Sequence, residues 1–137
     1  ARIETLNDKP SFKESKRCIF LTDGWFEWKR WFDWERRENK KVPYYHTNRN
    51  NIIHIAGIYN NNGCAIVTEE ADVKFKEIHH RKPVLLDDNE IDVWLKGDMV
   101  RNSKLSKNIE IFKVSNYVLV AVLLSLVTIV MNRLFIK

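Results

Sequence analysis

Three short stretches of this sequence hold residue types that can do chemistry together. In Asp23-Gly24-Trp25-Phe26-Glu27-Trp28-Lys29, a carboxylate stands between two aromatics just after a turn. Set against apolar surface, Glu27 holds its proton more tightly, which suits a general acid or base near neutral pH. Strand alternation offers the plainer alternative, with Glu27 pointing at solvent. In Ile78-His79-His80-Arg81-Lys82-Pro83, one histidine can move a proton while the arginine holds an anion. A pair of surface histidines is the plainer reading there. Adjacent histidines point apart on a helix or a strand, and neither CxxC nor HExxH occurs, so no metal site is expected. The third stretch, Trp25 to Arg37, interleaves aromatics with Lys and Arg, as proteins that stack on single-stranded nucleic acid do. A strand with core aromatics and outward charges gives the same pattern.

Short elements must position these residues. Pro10-Ser11-Phe12-Lys13-Glu14 reads as a helix start, with Ser11 and Glu14 spaced as a capping box. Cys18 to Leu21 reads as a buried strand, Thr22-Asp23-Gly24 as a turn, and Trp25 to Trp34 as a second strand pairing with the first or with Tyr44-Tyr45. Arg36 to Lys41 is expected to be a charged loop. Ile52 to Tyr59 and Cys64 to Thr68 read as strands around the hairpin turn Asn60-Asn61-Asn62-Gly63. Ala71 to Ile78 has helical spacing at Val73, Phe75 and Ile78. Val84-Leu85-Leu86 is a buried segment, Asp87 to Leu95 a helix ended by Gly97, and Ile109 to Val114 a last strand. Consecutive strands with few helices predict an α+β domain, mainly an antiparallel sheet or a partly open β-barrel.

The 137 residues suffice for one domain with a moderate core. With 45% hydrophobic and 30% charged residues, the chain is neither disordered nor fibrous. The net charge is +5, and Arg133 and Lys137 in the apolar end leave +3 for the body, compatible with a phosphate-bearing partner without specifying one. Cys18 and Cys64 both open apolar runs and are expected as buried free thiols in a reducing compartment. Val114 to Asn132 carries no charge, close to the ~20 residues of a bilayer span. Three readings of residues 118–137 stand open. They are a membrane attachment through 118–136 with Arg133 and Lys137 snorkelling, a buried terminal segment, or a misread end of the gene. No signal peptide is visible, and a start at Ala1 suggests a fragment or a processed product.

The three stretches occur together and in order with further short matches. These are Ala1-Arg2-Ile3-Glu4-Thr5, Pro10-Ser11-Phe12, Arg17-Cys18-Ile19, Pro43-Tyr44-Tyr45, Ala56-Gly57-Ile58-Tyr59, Ala65-Ile66-Val67-Thr68, Trp94-Leu95 and Val114-Ser115. The set resembles the SRAP family, the SOS response-associated peptidase-like or abasic-site processing proteins, over residues 1–117, here taken as a partial SRAP domain. The resemblance implies binding of single-stranded DNA and a covalent link to its abasic sites in the DNA damage response. It also implies peptidase- and lyase-like self-processing, no cofactor, a monomer, and a cytoplasmic, nucleoid-associated setting. In that chemistry an N-terminal cysteine supplies both an amine, which forms a Schiff base with the sugar aldehyde, and a thiol, which closes a thiazolidine. By position, Glu27 matches the family's catalytic glutamate and His79 its catalytic histidine, which assists sugar ring opening. Arg2 and Arg81 match arginines that hold DNA phosphates, and Thr68 a residue in contact with the DNA backbone.

The sequence departs from the family in places. The N-terminal cysteine and the asparagine expected before Ala1 are not among these residues, and Cys18 and Cys64, being internal, offer no free amine. His80 stands where Asp is usual and Lys82 where Met is common. The chain therefore reads as a fragment or a diverged, truncated member of the family. Two other readings stay open: a non-catalytic single-stranded DNA binder, or a membrane-tethered protein.

Overall fold

A computed structural model of the chain describes residues 1–114. The predicted apolar tail, 118–137, lies outside the described residues. Among the described residues nine strands run in chain order as β1 (Lys16–Thr22), β2 (Gly24–Asp33), β3 (Glu38–Thr47), β4 (Ile53–Asn60), β5 (Gly63–Ile66), β6 (Thr68–Glu70), β7 (Arg81–Pro83), β8 (Leu85–Leu86) and β9 (Glu110–Lys113). Two short helices, α1 (Val73–Lys76) and α2 (Glu90–Leu95), interrupt them. The strands make three antiparallel sheets: β1-β4-β5 with β8 also on β4, β2-β3-β9, and the two-stranded β6-β7. The α+β expectation holds, and the sheets stay open without closing into a barrel.

Strand β4 organises the core because it is buried on both faces. Its even residues Ala56 and Ile58 join Ile3, Leu6, Val67, Val84, Leu86 and Trp94. Its odd residues Ile53 and Ile55 join Ala71, Phe75, Leu85 and Ile109. Alternation along one strand thus feeds two apolar clusters on opposite sides of the sheet. The neighbours repeat the division: Ile19 packs on the first cluster and Phe20 on the second, as do Leu86 and Leu85. The second cluster is covered by the β2-β3-β9 sheet, whose Trp25 and Ile111 pack onto it.

Several expectations change in detail. Arg36 to Lys41 is not a loop; β3 begins at Glu38, and only Trp34 to Arg37 turns. Asp33 Oδ1 accepts the amides of Glu35 and Arg36 at 3.1 Å each, and Arg37 takes a left-handed φ of 52°. The Pro10 region forms one 3-10 turn, Pro10–Phe12, without the Ser11–Glu14 box. Helix α1 is a single turn anchored by buried Phe75, while Val73 is 84% exposed. The thiols are not both buried: Cys18 is half-buried and Cys64 is exposed, because β5 is a four-residue edge strand with little covering it. Helix α2 starts as expected, with Asp87 and Glu90 bonding each other's backbone amides, and ends before Gly97 at φ 101°.

Candidate functional site

Glu27 reaches its position through the alternation of β2. It shares a strand face with Trp25, which stacks on His46 at 4.8 Å and on Phe75 at 6.2 Å within the core. Two residues on, the same face has passed the edge of that core. Glu27 therefore points at the side of an open cleft and not at bulk solvent. Gly24 makes this seating possible, since a Cβ there would lie 2.4 Å from the His46 carbonyl oxygen and 2.5 Å from the Tyr45 ring.

The opposite wall comes from the segment after α1. His80 C=O accepts the amide of Ala71 at 3.0 Å, which folds this segment back beside β6. His79 Nδ1 lies 3.0 Å from the Arg81 carbonyl oxygen and 3.2 Å from the Arg81 amide nitrogen. The backbone at Arg81 thus holds one edge of the ring, and Nε2 is the nitrogen left to exchange a proton. Glu27, Trp28, Lys29 and Arg30 face Lys76 to His80 across a cleft of about 490 Å³. The two histidine rings sit 4.5 Å apart. Burial raises the Glu27 carboxyl above its ordinary pKa, and the nearby His79 pulls it partly back. A larger hollow of about 590 Å³, between Pro10 and Asn62, has no histidine in its lining.

The expected phosphate-holding residues form a second group. Arg81 is largely covered, and its guanidinium binds both Glu4 oxygens, at 2.8 and 2.9 Å, and the Thr68 carbonyl oxygen at 2.6 Å. The arginine holds the Glu4 carboxyl down to about 2. Arg81 is therefore turned toward the protein's own carboxylate, not toward an open rim. Thr68 donates its amide to the Ala1 carbonyl at 2.7 Å, and the backbone of Arg2 runs parallel beside it while the Arg2 side chain is exposed. Thr68 and Arg81 sit on the paired strands β6 and β7, and Arg81 immediately follows the histidine segment.

Sequence reasoning brought Glu27, His79, Arg2, Thr68 and Arg81 forward and missed three neighbours. Glu4 is one, although it sits within a segment matched on other grounds. Lys82 and Glu69 are the others: Lys82 Nζ is buried and binds Glu69 at 2.8 Å and Ser106 Oγ at 2.8 Å, tying β7 to β6 directly behind the histidines. The charge opposite Lys82, thirteen residues earlier, was the available signal.

A family model described as SOS response associated peptidase (SRAP) matches residues 1–125. Among curated proteins, Abasic site processing protein YoqW of Bacillus subtilis is 34% identical over 108 residues, covering 69% of this chain and 46% of its own. Abasic site processing protein YedK of Escherichia coli is 31% identical over 111 residues, 72% of this chain and 47% of its own. Abasic site processing protein HMCES of Xenopus tropicalis is 26% identical over 127 residues, 69% of this chain and 36% of its own. The chain spans about half the length of the first two relatives. The crystal structure of a phage-related protein from Bordetella bronchiseptica has the same fold, with a TM-score of 0.61 at 22% identity over 85% of this chain and 63% of that one.

Proposed function

The chain belongs to the SOS response associated peptidase (SRAP) family, and from that premise we propose that the Glu27–His79 cleft is where the protein processes abasic sites in single-stranded DNA. One observation carries the reading. A carboxyl whose proton is held by burial faces a histidine across a single cleft, although the two lie far apart in sequence.

The ring-opened abasic sugar is an aldehyde. His79, held at Nδ1, is suited to exchange a proton through Nε2 with the ring oxygen as the sugar opens. Glu27, with its raised pKa, is suited to give a proton to the carbinol oxygen, which leaves as water when an amine condenses with the aldehyde. The resemblance implies that this amine is the α-amine of an N-terminal cysteine, whose thiol then adds to the imine carbon and closes a thiazolidine. Holding both groups around one carbon converts successive collisions into steps within one complex. Arg2, exposed beside Thr68, offers positive charge where the sugar's flanking phosphates would run, and Arg81 would add its own only where a phosphate displaces Glu4.

The test is covalent capture. The chain, extended upstream by a Met-Cys segment of the kind the resemblance implies, is mixed with a single-stranded oligonucleotide containing one abasic site. A heat-stable shifted band on a denaturing gel is expected, absent with the intact oligonucleotide and retained in Cys18→Ser and Cys64→Ser. A band that forms equally on intact DNA, or that vanishes with Cys18→Ser in a folded protein, overturns the reading.

A further inference from the structure

The β2-β3 hairpin runs well past the body of the protein. Strand β9 pairs with β3 over Tyr44–Thr47, and the Val114 amide donates to the Pro43 carbonyl; outward from Lys29 and Val42, among the described residues, the two strands pair solely with each other. This free ribbon presents Trp31, Phe32 and Trp34 at 46%, 39% and 82% exposure, with the last two rings in edge contact at 4.7 Å. Trp31 and Phe32 are adjacent and so lie on opposite faces; neither face of the ribbon is built for water alone. Clustered exposed aromatics of this kind mark an interaction surface.

Charge selects the partner. Between Trp28 and Lys41 the sequence holds six Lys and Arg against three acids. Of those acids, Asp33 is bound to the turn's own amides and Glu38 is paired with Lys40 at 2.6 Å. A second copy of the chain docking here would crowd like charges together. A polyanion with stackable faces fits both features. Register gives the direction: Glu27, Lys29 and Trp31 occupy one face of β2, with Lys40 opposite Trp31. That line leaves the cleft and reaches Trp31 about 13 Å away.

We propose that the free end of the β2-β3 hairpin is a stacking arm for single-stranded DNA, which takes unpaired bases flanking the nucleotide held in the Glu27–His79 cleft. The placement of the reacting nucleotide rests on the function proposed above; the arm itself rests on the ribbon's exposure and charge. Bases stack on Trp31 and Trp34 while the cations follow the phosphates.

The test compares two single-stranded oligonucleotides, of about 4 and about 16 nucleotides, each with a central tetrahydrofuran abasic analogue, by fluorescence anisotropy on the full chain. The longer one is expected to bind more tightly. The double substitution Trp31→Ala, Trp34→Ala should cut the long-to-short affinity ratio by at least about fivefold, the loss of a stacked base. Trp31→Phe, Trp34→Phe should restore most of it, since a phenyl ring still stacks. An unchanged ratio in the alanine variant, with its unfolding midpoint intact, overturns the arm. So does a change confined to sedimentation, which assigns the patch to self-association. An intact 16-mer separates the two proposals: if abasic and intact strands bind alike yet the alanine variant still loses the ratio, the arm stands and the cleft reading fails.

Discussion

Glu27 concentrates the account at the scale of single residues. Burial raises its folded pKa above the ordinary 4.5. A raised carboxyl contributes stability that is present below pH 4.5 and is lost as pH rises through the folded value, so ionised Glu27 weakens the fold at neutral pH. Glu27→Gln should therefore raise the thermal unfolding midpoint at pH 7. A midpoint that stays put would place the carboxyl in open water, and one that falls would show its ionised form held by the neighbouring histidines, against a burial-raised carboxyl. Arg81 works in the opposite sense. Its bond to Glu4 lowers that carboxyl to about 2, so this stabilising contact is present above pH 4.5 and is lost as pH falls through about 2. The same bond gives Arg81 an internal counter-charge where a phosphate is expected. Glu4→Gln should then tighten single-stranded DNA binding and steepen its log–log salt dependence by roughly 0.7; an anisotropy titration with an unaltered slope would remove Arg81 from the contact. Glu27 drew notice in sequence as an acid between Phe26 and Trp28, yet strand alternation alone left it facing solvent, and its match to a catalytic position came from the family resemblance. The Glu4–Arg81 pair was not legible, because it is formed by chain segments 77 positions apart.

At the scale of elements, the histidine segment depends on the short β6-β7 hairpin behind it. Glu69 and Lys82 face each other across that pair, both buried, with Asn102 N–H donating to the other Glu69 oxygen at 2.9 Å. Removing one partner leaves the other charge buried alone, so Lys82→Ala should cost about 3–5 kcal/mol. Lys82→Met with Glu69→Leu should recover most of this, because a buried pair replaced by packed apolar groups is close to neutral. Chemical denaturation of the three proteins checks the order, and a single variant as stable as the parent would show the pair to be solvated. Strand β4 and the Asn60–Gly63 turn were legible from an apolar run closed by a strong turn signal, Gly63 having φ 138°. The outer half of β3 was not. Both faces of a projecting ribbon meet solvent, so Glu38 to Lys41 shows none of the alternation by which strands are read. Helix α1 was overextended because Val73 supplied helical spacing without burial.

At the scale of the whole molecule, two apolar clusters flank one central strand, and the cleft lies where the second cluster gives out between β2 and the segment after α1. Fold class was readable from the succession of strands, whereas the juxtaposition of Glu27 with His79 came from an ordered set of family matches. Spacing alone left both residues with surface readings. Among the described residues no helix is long and apolar enough to cross a membrane, and the chain carries its acid, histidine and cations within a span that covers about half of its bacterial relatives. The central claim is that Glu27 and His79 act on the same sugar. A double-mutant cycle on the rate of covalent capture, using the Met-Cys-extended chain, Glu27→Gln, His79→Ala and the pair of substitutions together, measures this most directly. The account predicts that each single change slows capture by about 10²-fold or more, and that the double variant is slower by much less than the product of the two. Single variants that capture abasic DNA at the parent rate would contradict it.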